Sequence, residues 1–184
     1  MKLLLVSALI LCSSVVSAQG KYFTRDGHVK FFSATSVEDI EARNHKLTCV
    51  LDAASGQFEF AALMKSFEFK KPLMEEHFNE NFVESNKYPK GTFKGSVQGL
   101  DGIDMANIPS GTNVVAAGKL EIHGVVKELE LAATIESRDG GYAIHSTFKI
   151  VPEDYNIEIP NTVRDNIAKV VDVTVEAQLK AFNR

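Results

Sequence analysis

The side chains of this chain that could do chemistry are five histidines, a cysteine in the body of the sequence and two Ser-Gly pairs. His28, His45, His77, His123 and His145 stand far apart, and no two lie at an i, i+4 distance. A helical zinc motif needs two histidines on one face with a glutamate between them, and Glu75-Glu76-His77 lacks the second histidine. Ser55-Gly56 and Ser110-Gly111 are not set in the Gly-x-Ser-x-Gly elbow that exposes a nucleophilic hydroxyl. Gly99–Gly102 reads GLDG, without the lysine and helix of a phosphate-cradling loop. Cys49 alternates with Leu47 and Leu51, which is the setting of a small buried hydrophobe. The spacing therefore yields no catalytic residues, no metal ligands and no cofactor. A metal-assisted enzyme would have to draw its histidines together from distant segments.

The elements around these residues follow a period of two. In Asn113–Ser137 (NVVAAGKLEIHGVVKELELAATIES) Val114, Ala116, Gly118, Leu120 and Ile122 share one face. Leu129, Leu131, Ala133 and Ile135 share a face of the second arm, with charged residues between them. Such alternation predicts half-buried antiparallel strands folded back at His123-Gly124. Arg138–Gly141 (RDGG) predicts a tight turn into a further strand through Tyr142, Ile144, Ser146, Phe148 and Ile150. Other strands are expected over His28–Ala34, around Leu47–Leu51, over Gln57–Lys70, Thr92–Leu100 and Val170–Phe182. Gly20–Gly27 reads as a polar lead, and Ser36–Asn44 as either a connecting strand or a short helix. Phe58, Phe60, Ala62 and Met64 share one parity while Phe67 and Phe69 take the other, so a bulge is expected near Lys65-Ser66. Pro72–Ser85 shifts to helical spacing, with Pro72 suited to a first turn and Glu75 and Glu76 suited to its dipole. Pro160–Lys169 reads as a second short helix. The class is all-β: an antiparallel barrel of about eight strands with one or two short helices. Strands longer than nine residues suit tilted staves better than a sandwich.

The termini and composition narrow the setting. Lys2 followed by the apolar run Leu3–Val16 and the small residues Ser17-Ala18 has the form of a secretory signal, 1–18, cleaved after Ala18. The run is shorter than the ~20 residues of a membrane span. Residues 19–184 then form one domain, secreted or periplasmic. The chain carries a formal charge of −4, and the signal removes one lysine, so the domain is acidic and has no basic run for nucleic acid. With Cys12 in the signal, Cys49 is left alone and no internal disulfide forms. No later segment is apolar enough to cross a membrane. A homodimer through exposed sheet is compatible with the sequence, and nothing in it demands one.

The inward-facing set mixes large rings with small residues. Phe31, Phe58, Phe60, Phe69, Phe93 and Phe148 stand beside Ala62, Gly95, Gly99, Ala116, Gly118, Ala133, Ser146 and Ala177. An eight-stranded barrel is wide enough to be filled by side chains or to hold one slender ligand. Small residues on several staves leave room along the axis, whereas rings packed opposite glycines fill it. The pattern leaves both outcomes open.

Three segments resemble the YceI-like proteins, secreted or periplasmic bacterial proteins with a lipocalin-like antiparallel barrel. Lys119–Leu131 (KLEIHGVVKELEL) is similar to the family's strand–His-Gly–strand hairpin. Met74–Gly95 (MEEHFNENFVESNKYPKGTFKG) is similar to its helix, Tyr-Pro turn and following strand. Phe148–Pro160 (FKIVPEDYNIEIP) is similar to its late strand and Asp-aromatic segment. The order holds over nearly all of Gly27–Leu179. The resemblance implies non-covalent binding of a long isoprenoid or other amphiphilic lipid chain inside the barrel, without catalysis. Lining is then expected from Phe58, Phe60, Phe93, Leu120, Leu131, Phe148 and Val173, with Tyr88, His123 and Tyr155 at the mouth. Lys70-Lys71-Pro72 stands where the family often has Arg-Asp, and Pro152-Glu153 precede Asp154-Tyr155 where many members have arginine. Headgroup contacts therefore do not carry over.

Overall fold

The two-residue periodicity folds into nine strands, all joined antiparallel. The computed structural model describes residues 20–100 and 103–182; the expected signal, 1–18, with Cys12, lies outside the described residues. The strands are β1 (Lys21–Ala34), β2 (Asp39–Asp52), β3 (Gln57–Leu63), β4 (Glu68–Phe69), β5 (Lys90–Gln98), β6 (Thr112–Ile122), β7 (Val125–Arg138), β8 (Gly141–Ile150) and β9 (Val171–Ala181). They follow one another as β1-β9-β8-β7-β6-β5-β3-β2, and β1 pairs back onto β2. Eight staves thus close a lipocalin-like barrel. The two-residue β4 pairs with β2 beyond the end of β3.

Local chemistry explains the corners. His123-Gly124 and Asp139-Gly140 have φ of 52°, 74°, 51° and 74°. Two successive positive values make the tight hairpin turn whose twist matches its strands. The ladders close at Ile122↔Val125 and Arg138↔Gly141. At the β1–β2 hairpin, the Thr35 hydroxyl accepts the Val37 and Glu38 amides at 3.2 and 3.0 Å.

Three expectations are corrected. The polar lead before Gly27 is the first half of β1, because β2 and β9 supply ladder partners on both sides; pairing overrides weak local preference. The parity change expected near Lys65-Ser66 is a single 3-10 turn, Met64–Ser66, rather than a bulge; it buries both Met64 and Phe67 and separates β3 from β4. The second helix is only a 3-10 turn, Asn161–Asn166. Helix α1 (Pro72–His77) starts on its proline as expected and loosens into a wider turn over Phe78–Phe82.

Glycine has a different task from the one expected. Gly95 and Gly118 face each other in the β5–β6 ladder. A Cβ on Gly118 would stand 2.3 Å from the Lys94 carbonyl oxygen, and one on Gly95 2.0 Å from that of Ala117. The pair lets two backbones approach at a barrel corner, and neither glycine contributes to the central void.

The interior divides lengthwise. One end is sealed by Cys49, Leu51, Phe58, Val114, Ile135, Tyr142 and Leu179, with Ile108 tucked in from the β5–β6 loop. The Tyr142 hydroxyl donates to the Met105 carbonyl at 2.8 Å, fastening that loop across the end. At the other end β7 and β8 part: their ladder runs only to Ala133↔Ser146. Tyr155, Ile157 and Ile159, from the chain after β8, are buried in the core of that end.

Candidate functional site

A cavity of about 530 Å³ occupies the half of the barrel away from the sealed end. Alternation places its wall, since β1, β3, β5, β6, β7, β8 and β9 each send every second side chain inward. Phe31, Phe60, Phe93, Leu120, Phe148 and Val173 are among the lining groups. Several of these rings are only half-buried although they point inward. Their free surface faces the cavity.

The far wall is aromatic. Phe31 meets Phe67, Phe69 and Phe78 with ring centroids 5.5, 5.7 and 5.5 Å apart, and Phe69 meets Phe78 at 5.1 Å. These rings come from β1, from the residues around β4 and from the turn after α1. Their tilted and edge-on contacts are the favoured arrangements for such quadrupoles.

The two serines that line the cavity are already partnered. Ser146 Oγ donates to the Ala132 carbonyl at 2.7 Å, and Ser33 Oγ accepts the Ala168 amide at 2.8 Å. The ionisable lining groups Glu38, Lys71 and His77 sit at the rim with Asn166 and the exposed Leu73. The Glu38 carboxylate takes a hydrogen bond from Lys71 and another from Asn166 at 3.3 Å. Those hydrogen bonds, that from Lys71 first, hold its carboxyl below the usual glutamate range. Burial pushes the Cys49 thiol far up, so it offers no thiolate. Among the described residues no three His, Cys, Asp or Glu side chains are placed to hold a metal ion. The arrangement can enclose an apolar chain and meet a polar end at the rim.

The expected site residues divide into three groups. Phe60, Phe93, Leu120, Leu131, Phe148 and Val173 all line the cavity. Phe58 does not: it packs 5.6 Å from Phe60 and 5.1 Å from Phe93, on the sealed side, and forms the floor behind them. Tyr88, His123 and Tyr155 also stand off the lining. His123 Nδ1 lies 3.1 Å from the Tyr155 carbonyl and Nε2 lies 2.8 Å from the Glu84 carboxylate. The Tyr88 ring stacks edge-on against it at 4.4 Å. These three residues bind connecting segments to one another. The Tyr155 ring is itself buried, and burial followed by the Asp154 charge raises its phenol above the usual range.

Sequence reasoning missed the rim and much of the aromatic wall. Glu38, Lys71, Asn166, Phe67, Phe78 and Phe82 went unselected. The parity break at Met64–Ser66 and the helical spacing of Phe78 and Phe82 were the available signals for the wall.

Comparison with known proteins agrees with this geometry. The family model described as YceI-like domain matches residues 13–179. No curated protein matches the chain. A polyisoprenoid binding domain from Saccharophagus degradans, implicated in plant cell wall breakdown, superposes with a TM-score of 0.74 at 15% identity, over 89% of this chain and 99% of that one. Burkholderia cenocepacia BcnA gives 0.69 at 15% identity, over 84% and 96%. A Campylobacter jejuni YceI protein gives 0.50 at 23% identity, over 74% and 81%.

Proposed function

Because the chain belongs to the YceI-like domain family, we propose that it is a lipid-binding protein that holds a long isoprenoid or other amphiphilic chain in its barrel. The observation that carries this reading is the 530 Å³ cavity, apolar within and charged only at its rim. That volume lies within the roughly 300–1,000 Å³ range of small-molecule sites. Each buried CH₂ contributes roughly 0.8 kcal/mol, so a few isoprene units supply several kcal/mol. Part of that gain is offset by the entropy of ordering the chain. Affinity comes from the tail. The family relationship and the polyisoprenoid-binding description of the Saccharophagus domain support an isoprenoid over a compact hydrophobe.

The reading is of binding rather than catalysis: among the described residues the ionisable lining groups Glu38, Lys71 and His77 stand at the rim. The signal-like segment at 1–18 supports export, and with it carriage or sequestration of lipid outside the cytoplasm. Protein purified from its native host is expected to yield an isoprenoid or fatty chain on solvent extraction and mass spectrometry. Delipidated protein is expected to take up a fluorescent polyprenyl analogue at one per barrel. An empty extract together with no uptake of polyprenyl or fatty chains would overturn the proposal.

A further inference from the structure

The outer wall carries a feature that lipid binding does not use. His28 on β1 and His45 on β2 meet with their Nδ1 atoms 2.5 Å apart, and their ring centroids are 4.7 Å apart. Both side chains are exposed. An ordinary N–H hydrogen bond spans about 2.9 Å, so the two Nδ1 atoms stand closer than that.

A bulge produces the juxtaposition. The β1–β2 register passes from Gly27↔Leu47 to Val29↔Asn44, so His45 and Lys46 together oppose His28. In regular alternation neighbouring residues take opposite faces. The extra residue turns both His45 and Lys46 outward while Asn44 and Leu47 stay buried. Asn44 locks the bulge: its Oδ1 accepts the Lys46 amide at 2.8 Å and its Nδ2 donates to the Leu63 carbonyl at 2.9 Å. Bulges are a recurrent means of re-aiming a side chain.

The row continues on the other side. Glu176 on β9 is in register with His28 and also with His145 on β8, and its carboxylate lies 3.6 Å from His145 Nδ1. Four adjacent strands therefore present His45, His28, Glu176 and His145 outward in sequence.

We infer that His28 and His45 form an open two-imidazole chelate for a first-row divalent transition metal, with water completing the shell. Imidazole nitrogens suit copper, nickel and zinc, and copper(II) binds such donors most tightly. Metal–nitrogen bonds of about 2.0–2.1 Å require the rings to part only slightly, and both are free at the surface to do so. The pair lies on the outside of the seam that closes the barrel, so a bound ion ties β1 to β2 independently of what the cavity holds.

The test is copper(II) titration of protein without a histidine tag, followed by calorimetry and electron paramagnetic resonance. One ion per chain with two imidazole nitrogens in its coordination is expected. His28→Gln and His45→Gln each remove chelation while keeping a polar group, and each is expected to weaken binding at least tenfold. Copper is expected to raise the melting temperature of the wild type and not that of the double variant. Absence of stoichiometric binding at micromolar copper, or equal binding by wild type and the double variant, would overturn the inference. Circular dichroism of the variants confirms that they fold.

Discussion

The two ends of the barrel use the same alternation for opposite purposes. At the sealed end Leu51, Ile135 and Leu179 are almost fully buried and the loop after β5 is fastened by Tyr142. At the cavity end Phe31, Phe60, Phe93 and Phe148 also point inward, yet they keep free surface around a void. Packing to interior density supplies stability. A void with apolar walls forgoes some of those contacts and leaves them for a guest. The difference matches the proposed division of stability to one end and chain binding to the other.

The strongest test of this division is Leu179→Ala. Its side chain is 0% exposed, and truncation is expected to cost about 3 kcal/mol in urea unfolding with little change in affinity for a polyprenyl chain. Next comes Gly118→Val. Its Cβ would lie 2.8 Å from Gly95 Cα as well as against the Lys94 carbonyl, so a loss of about 2 kcal/mol is expected in the same assay. Phe148→Ala is expected to cost the empty protein only about 1 kcal/mol, because its ring already faces the void, and to weaken chain binding roughly tenfold, which is about 1.4 kcal/mol. Equal stability losses for Leu179→Ala and Phe148→Ala would break the division.

Ala116→Leu sharpens it from the other direction. Ala116 lines the cavity, so a larger side chain there is expected to leave stability within about 1 kcal/mol of wild type. Competition assays with chains of graded length are expected to show a shorter preferred chain. The smallest effect belongs to the rim. The Glu38 carboxyl is held below its ordinary value of 4.5 by Lys71 and Asn166. Its contribution is therefore present above pH 4.5 and is lost as pH falls through its lower folded value. Its partner Lys71 is exposed to solvent, so the pair contributes little. A melting-temperature profile below pH 4.5 is expected to be slightly flatter in Glu38→Gln.

Much of the barrel was legible because alternation is a local signal. Val114 to Ile122 and Leu129 to Ile135 announced their strands, and His123-Gly124 and Asp139-Gly140 announced their turns. What the sequence hid depends on long-range register. Glu38 meets Lys71 across 33 residues and Asn166 across 128, and no local pattern carries such a pairing. Phe58 has the same parity as Phe60, yet one ring is floor and the other is wall, because parity gives a face and not a height along the axis. Gly118 read as lumen space for the same reason: a missing side chain is equally apparent whether it makes room for a ligand or for a neighbouring strand. His123 took on a connecting role through Glu84 and Tyr155, which no spacing rule anticipates.

Cys49, the one thiol among the described residues, gives the sealed end a built-in clock. It has no exposed surface, and burial raises its pKa so that almost no thiolate is present at neutral pH. Alkylation there must wait for that end to open. Under conditions where reclosing outpaces the reagent, the labelling rate reads the opening free energy directly. A guest that stabilises only the closed state then slows labelling in proportion to its occupancy, so one sulfur atom reports on a cavity it never touches.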